Sequence, residues 1–442
     1  MKGWIGTLVL CIGMGLATSW AQEPDPEEMD ESRGRLSERV KALEERFDKL
    51  DRVEAIKKVE EYLCPDGEIY DAPPPGGRCP DSSIPEGRVT FRKIPFSRRE
   101  SLGEMIGAAL EEAEAKRVAV GGSARGILQQ VLNSKESDAL FAEGSVDLFF
   151  LSRPMTLSTF FVDLESIGGA GPDEMLGSRS RVNADAETLG VTEDVKVREA
   201  WLFFKLLEDR LRIVGGKIDL TNYFDRNAVA NDETGQFLNT ALVNNPLLRQ
   251  PPNGPGLAVQ YQTGGEIGIS VGIQSPNDAA ATLTEKIYGI VELDYHSHLL
   301  FAREGNFRLW GRVGRVSDEL EKKTWGGGFS VDQQITARLT LFARAGIGRT
   351  EGEDQNAYAW STGFQIPSPF KASTKDRAGV AFSRQVETAG SESIAEGYYH
   401  HVFADRVWVS LDLQWLISGR NGVTGEENEN IFIPGMRTTV NF

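Results

Sequence analysis

The chain has 442 residues, a formal net charge of −17 and 26% charged side chains. Nucleic acid presents a polyanionic backbone, so an acidic excess this large excludes it as an expected partner. Length alone admits two or three soluble domains and favours no single architecture.

The first residues combine a cationic Lys2, an apolar run from Trp4 to Leu16 and the exit Ser19-Trp20-Ala21. This is the layout of a secretory signal, so residues 1–21 are expected to be removed after Ala21 on export. The run is too short to anchor the chain across a bilayer. Cys11 lies inside it, preceded by Leu10 rather than the small residue a lipoprotein site needs, and is expected to leave with it. No later stretch reaches about 18 apolar residues, so no spanning helix is expected.

Residues 22–63 begin acidic, from Glu23 to Glu31, and apolar residues then recur at Leu36, Val40, Leu43, Phe47 and Leu50 in steps of four and three. That spacing predicts a heptad seam on a helix, continued unevenly by Val53, Ile56, Val59 and Leu63 over about four heptads at most. Such a helix would drive self-association, as a trimer for example, or lie alone on its amphipathic face.

Residues 64–117 read as a linker, rich in Pro and Gly from Pro65 to Pro95, followed by a short helix over 101–116. Cys64 and Cys79 sit in the echoing contexts Cys-Pro-Asp. An exported chain meets an oxidising compartment and no histidine lies nearby to complete a zinc site, which favours a disulfide over two free thiols. Closing a loop of that size would contribute about 3 kcal/mol.

From residue 118 the apolar period changes from helical to alternating and stays so to the end. Sixteen segments are predicted as strands, at 118–131, 139–152, 157–167, 195–207, 211–219, 256–262, 266–275, 286–300, 307–317, 324–334, 337–349, 357–367, 376–385, 394–403, 406–418 and 431–442. Most have about the 9–11 residues that a tilted strand needs to cross a bilayer. Short links, such as 153–156, 208–210, 263–265 and 335–336, alternate with long polar ones, such as 168–194 and 220–255. Alternation of this kind belongs to outer-membrane barrels, with short periplasmic turns and longer outer loops. Within 406–418, Val407, Val409, Leu411, Leu413 and Trp415 share one face and Ser410, Asp412 and Gln414 the other. The fold class expected is all-β, a transmembrane antiparallel barrel of about 16 strands over 118–442, in contact with outer-membrane lipid.

The final Phe442, with Val440, Thr438 and Met436 on its side of the last strand, resembles the signal read by the barrel-assembly machinery. The run from Gly216 to Asp225, Gly-Lys-Ile-Asp-Leu-Thr-Asn-Tyr-Phe-Asp, is followed by Asn231-Asp232-Glu233-Thr234, Phe237-Leu238 and Ala241 to Pro246. These, with Trp408 to Ser418 and the ending from Ile433, resemble the carbohydrate-selective porin family of the OprB type. The resemblance runs from about Val118 to the end and implies a sixteen-stranded barrel that passes glucose and related sugars by diffusion.

Lys217 and Asp219 end the fifth strand before the longest connection, 220–255. That connection holds many side-chain hydrogen bonders, among them Asn222, Asp225, Asn231, Asp232 and Glu233, beside Phe224, Phe237 and Leu242. A loop with its own apolar anchors can fold as a packed unit, so it is expected to bend inward and constrict the lumen. The polar faces of the strands would add Glu199, Trp201 and Lys205, then Glu292, Asp294 and His296, then Arg308, Trp310 and Arg312, with Arg344 and Asp412 from two more. Opposed charges keep a constriction wet and bind hydroxyls, and Trp201 and Trp310 would stack on a pyranose ring.

The histidine pairs His296/His298 and His400/His401 have no metal-site or triad spacing, and the glycine runs lack the strand-to-helix setting of a phosphate loop. No catalytic residue, metal or cofactor is expected. The function expected is passive diffusion of small solutes, sugars first. A general or ion-preferring porin and an envelope-tethering structural protein are the alternatives.

Overall fold

The computed structural model of the chain describes residues 57–63, 69–70, 86–92 and 118–442, except for 135–137, 156, 177, 186–194, 264–265, 277–285, 298–302, 317–321, 371–374, 389, 405, 418, 421–426 and 429. The secretory signal, the heptad seam up to residue 56, the helix over 101–116 and both Cys64 and Cys79 lie outside the described residues.

Sixteen antiparallel strands close into one barrel. They are β1 (Val118–Val131), β2 (Ala139–Met155), β3 (Ser158–Gly169), β4 (Lys196–Leu206), β5 (Leu211–Ile218), β6 (Gly254–Gln262), β7 (Ile267–Gln274) and β8 (Tyr288–Ser297). The circle continues through β9 (Gly305–Gly314), β10 (Thr324–Thr336), β11 (Leu339–Thr350), β12 (Ala357–Pro367), β13 (Arg377–Glu387), β14 (Gly390–Ala404), β15 (Val407–Ile417) and β16 (Ile431–Asn441). Each strand pairs with its sequence neighbour, and β16 closes on β1 from Gly435↔Gln129 to Asn441↔Ser123. Closure leaves no edge, so every strand can satisfy its backbone without water.

Alternation alone fits a half-buried soluble sheet equally well; what decides is which face is covered. Here the apolar face is open, with Leu309 60%, Val313 58%, Leu411 55% and Leu413 53% exposed, and the polar face is shut, with Glu292, Ser410 and Gln414 all at 0%. A sheet in water would do the reverse, because exposing that much apolar side chain is unfavourable. Lipid is the solvent in which this arrangement is stable.

The long links 170–195, 219–253, 275–287 and 418–430 fall at one end of the barrel and the short ones 156–157, 207–210, 337–338 and 405–406 at the other. Three links break the rule: 388–389 is short at the loop end, and 298–304 and 368–376 are long at the turn end.

One reading of the sequence needs correction. Lys57–Leu63 is a strand rather than the tail of a helix, and it pairs antiparallel with Ile69–Tyr70 and with Glu86–Arg92, inside the segment read as linker. The register from Lys57↔Arg92 to Leu63↔Glu86 brings Val59 opposite Thr90 and Lys58 opposite Phe91. β-Branched and aromatic residues in a non-local partner override a weak helical spacing.

Candidate functional site

The connection 219–253 lies inside the barrel. Its composition explains how it folds: five Asx side chains each accept the N–H two residues ahead, turning the chain locally. These are Asp219 to Thr221, Asn227 to Val229, Asp232 to Thr234, Asn239 to Ala241 and Asn245 to Leu247, at 2.8–3.1 Å. Asp219 and Asn239 thereby cap the short helices Leu220–Asn222 and Thr240–Val243. Apolar residues between these turns pack on the wall. Leu220, Phe224, Leu247 and Leu248 join Ile218, Ala258, Tyr288 and Trp310 in one buried cluster, and Phe237 and Leu242 join Phe342, Ala381 and Tyr398 in another.

Inward-facing charges of the wall bind the loop backbone. Guanidinium groups take its carbonyls: Arg312 Nε donates to Leu247 at 2.7 Å, Arg344 Nη1 to Leu242 at 2.9 Å, Arg377 Nε to Gly235 at 3.2 Å and Arg437 Nη2 to Gln236 at 2.6 Å. Carboxylates take its amides: Glu292 accepts from Asp225 N–H at 2.7 Å, and Glu396 from the N–H groups of Leu238 and Asn239. Ion-assisted hydrogen bonds of this kind contribute about 1.5–3 kcal/mol each. The loop thus reaches from β5 and β6 across to β14 and β16.

A second loop fills part of the same space with its described residues 170–176 and 178–185. Asp173 opens the helix Asp173–Leu176 and accepts the N–H groups of Val182 and Asn183 at 2.8 and 3.0 Å. Burial pushes its carboxyl above the usual carboxylate range against those hydrogen bonds. Asp185 pairs with Arg125 at 2.9 Å, Asn183 donates to Glu143 at 2.6 Å, and Ala184 N–H donates to Leu238 O of the first loop at 2.9 Å.

The residues expected to bind solute divide into three groups. Glu292, Asp294, Arg308, Trp310, Arg312 and Arg344 are all at most 7% exposed. Arg308 pairs with Asp294 at 3.1 Å and Asp332 at 2.9 Å, and Trp310 Nε1 donates to Asp225 at 3.0 Å. In this state Trp310 holds the loop and offers no open face to a sugar, which corrects the expectation that it forms a stacking platform. Asp225, Asn231, Asp232 and Glu233 are buried within the loop itself.

Lys217 is the second correction. It stands in register with Ala200 on β4, the face opposite to that of Trp201, whose partner is Gly216. Lys217 therefore points away from the lumen, and Asp219 beyond it caps a turn.

In the third group Trp201 stays partly exposed, whereas Glu199 is 1% exposed. Trp201 is half-buried and stacks on Phe161, with ring centroids 4.7 Å apart. Glu199 accepts from Trp201 Nε1 at 3.1 Å and from Asn222 Nδ2 at 3.2 Å. On the loop, Asn222, Tyr223 and Arg226 are half-buried and Ala228 is exposed, and Lys205, Arg212 and Gln260 are half-buried on β4 to β6.

Sequence reasoning missed Arg198. Alternation would send it outward, but Asp163 pairs with Glu199 while Leu164 already pairs with Val197, so Arg198 is the extra residue of a bulge. It reaches Glu165, Asp147 at 3.9 Å and Glu233 at 4.0 Å. Glu396, Arg377 and Arg437 were also missed, although each sits at an inward position of a predicted strand.

A closed sixteen-stranded barrel with an apolar outside and a loop folded into a polar inside defines an outer-membrane porin. The profile of the carbohydrate-selective porin family, OprB type, matches residues 310–442. An uncharacterized protein of Aquifex aeolicus (strain VF5) is 31% identical over 251 residues, 56% of this chain and 74% of that protein. The high-pH structure of Pseudomonas putida OprB superposes with a TM-score of 0.61 at 15% identity, over 79% of this chain and 100% of that one. Its low-pH structure gives 0.51 at 15% identity, over 78% and 100%. Residues 310–442 thus carry the profile of the carbohydrate-selective porin family, OprB type, on a barrel with the fold of Pseudomonas putida OprB.

Proposed function

We propose that the chain is a passive diffusion channel of the outer membrane for small polar solutes, carbohydrates first among them, and that selection occurs in the strip left open beside the inward-folded loop. The observation that carries this reading is the placement of loop 219–253 against the inward charges of β8, β9, β11, β13, β14 and β16, with Leu220 and Phe224, near its start, in the cluster against which Trp201 packs. A pyranose has an apolar face and an edge of hydroxyls. Trp201 supplies a partly exposed aromatic face and Asn222 a partly exposed amide, and the buried Glu199 orients both by accepting from each. The family description supports the same class of solute.

In this reading Glu292, Asp294, Arg308, Trp310, Arg312 and Arg344 act on the solute indirectly, by fixing the loop with its Asp225, Asn231, Asp232 and Glu233. Lys217 serves the lipid boundary. Phe442, 57% exposed beside Val440 and Met436, is the residue read by the assembly machinery. Export follows removal of residues 1–21, and residues 22–56 mediate any self-association.

Conductance of the purified protein across planar bilayers tests the proposal, with glucose or maltose added on one side. Sugar-dependent reduction of an ionic current is the expected result. An ionic current indifferent to both sugars would favour a general or ion-preferring porin, which the acidic residues gathered on β2 to β4 would suit. A purified, folded barrel with no current would favour an envelope-tethering role.

A further inference from the structure

A cavity of about 670 Å³, in the size range of ordinary ligand sites, lies on the outward surface of the wall near the loop end of β8 to β11. Its floor is Gly289, Gly311 and Gly327. Gly311 stands in register with Val291 on one side and Gly327 on the other, and Gly327 with Ile347, so four neighbouring strands share an outward row in which two side chains are missing. A Cβ at Gly311 would meet nothing within 4 Å, and one at Gly289 nothing nearer than 3.8 Å, so the hollow is open from the lipid side. Val291, Val313, Trp325 and Ile347, all exposed, rise around it as apolar walls.

The rim of this hollow is cationic. Arg349, second from the end of β11, lines it and stands in register with the outward Trp325. Its Nη2 donates to Glu353 O at 3.1 Å, which holds the guanidinium level with the link 351–356 and occupies one of its donors. The acids of that link, Glu351, Glu353 and Asp354, lie past the strand end, and Glu351 accepts from Lys323 N–H at 3.1 Å. Within the strands the outward charges of this half are of one sign: Lys217 on β5, Arg349 on β11 and Arg384 on β13, the last in register with the outward Trp360. Among the described residues no acid stands on the outward face of a barrel strand, although the whole chain carries −17. Charge on a lipid-facing position is unfavourable unless it lies near the interface and meets a counter-charge, so the partner this rim fits is an anionic headgroup.

The long loops mark this end as the outer one, where the leaflet is built of lipid A, a glycolipid that carries phosphates above several acyl chains. We propose that the hollow is a docking site for one lipid A molecule, with an acyl chain laid over Gly289, Gly311 and Gly327 and a phosphate on Arg349. A guanidinium fork matches phosphate and can take two of its oxygens at once. The glycines let the acyl chain approach the sheet backbone closely, and Trp325 flanks it at the depth where an aromatic girdle is expected.

The test uses the full chain purified in an uncharged detergent and counts retained lipid by native mass spectrometry as lipid A or phosphatidylglycerol is titrated in. One lipid A per barrel should be retained, in preference to phosphatidylglycerol. Arg349→Gln should raise the half-saturating lipid A concentration about tenfold or more, as the loss of a charged hydrogen bond implies. Gly289→Leu, which puts a side chain into the hollow, should abolish the one-to-one adduct. Lys217→Gln removes an outward cation on β5, away from the hollow, and should bind as the wild type. Equal retention of the two lipids by the wild type overturns the inference and needs no variant to fold. A loss in Lys217→Gln as large as in Arg349→Gln also overturns it, because the attraction would then be diffuse, and so does a Gly289→Leu barrel that binds as the wild type. A wild-type oligomer that retains no lipid A and falls apart in Gly289→Leu would give the hollow to a second copy of the chain instead.

Discussion

Arg344 Nε, on β11, lies 3.1 Å from Oδ2 of Asp225 near the start of the constricting loop, and the two side chains are 1% and 0% exposed. The same guanidinium donates to the carbonyls of Asp225 and Leu242, both at 2.9 Å, and Asp225 accepts in turn from Asn245 N–H at 2.7 Å. One arginine therefore ties two distant parts of the loop to the wall. Arg344→Ala leaves Asp225 as a buried charge without its counter-ion, a loss of about 3–5 kcal/mol. The barrel ladder does not depend on that pair, so the loop and not the barrel should give way. Single-channel conductance is expected to rise and sugar block to weaken, with the heat-resistant mobility of the barrel in gels retained. A variant that conducts like the wild type would show that Arg344 does not hold the constriction.

Trp201 and Trp310 should separate cleanly. An aromatic contact contributes about 0.5–1.5 kcal/mol, so Trp201→Ala should raise the half-blocking sugar concentration by roughly twofold to tenfold at nearly unchanged conductance. Trp310→Ala removes a donor to Asp225 and should behave like the Arg344 variant, with a larger current. Titration of current with maltose distinguishes them, and a Trp201 variant blocked like the wild type would remove that residue from the path.

The strands were legible because lipid demands one simple rule over 16 segments, apolar outward and polar inward, and all 16 predicted segments overlap a strand of the barrel. The inward bend of 219–253 was legible too, from Phe224, Phe237 and Leu242 lying among turn-forming Asn and Asp. Residue roles were less so. Trp310 and Arg344 occupy inward positions as expected, but only the folded loop reveals that Trp310 donates to the Asp225 carboxylate and Arg344 to the carbonyls of Asp225 and Leu242. Arg198 was passed over and Lys217 misplaced for a more local reason: a one-residue bulge after Val197 sets Arg198 inward, and the facing of a strand end cannot be counted without its register to β4. Lys57–Leu63 failed because its partner, Glu86–Arg92, lies across a stretch rich in proline, where no local pattern announces pairing.

Asp376 ends the long turn 368–376 and accepts from Val402 N–H at 3.0 Å, Tyr399 Oη at 2.9 Å and His401 Nδ1 at 3.0 Å. Burial pushes its carboxyl up, but these hydrogen bonds outweigh it and hold the group below the usual carboxylate range. A depressed acid stabilises the fold above its unfolded value of 3.8 and loses that contribution as pH falls through the lower folded value. The melting temperature in detergent should accordingly exceed that of Asp376→Asn at pH 6, with the gap narrowing below about pH 4. A gap that is constant from pH 6 to pH 2.5 would mean the ionised carboxylate contributes nothing specific.

Two glycines test whether the loop needs the wall beneath it. Gly272, inward on β7, lies under Phe224: a Cβ there would come within 2.6 Å of the ring and 3.0 Å of Ile290. At Gly311, outward on β9, a Cβ would meet nothing within 4 Å. Valine suits a strand at either place, so intrinsic propensity favours both substitutions equally. Gly272→Val overpacks the seat of Phe224, at a cost of about 1–3 kcal/mol, and the ring can escape only by lifting the loop that carries it. Gly272→Val should therefore conduct more and expose 219–253 to protease added from the loop side, while Gly311→Val behaves as the wild type. Protection of the loop in both variants would mean that the wall charges alone hold it, and that Phe224 merely fills space the glycine happens to leave.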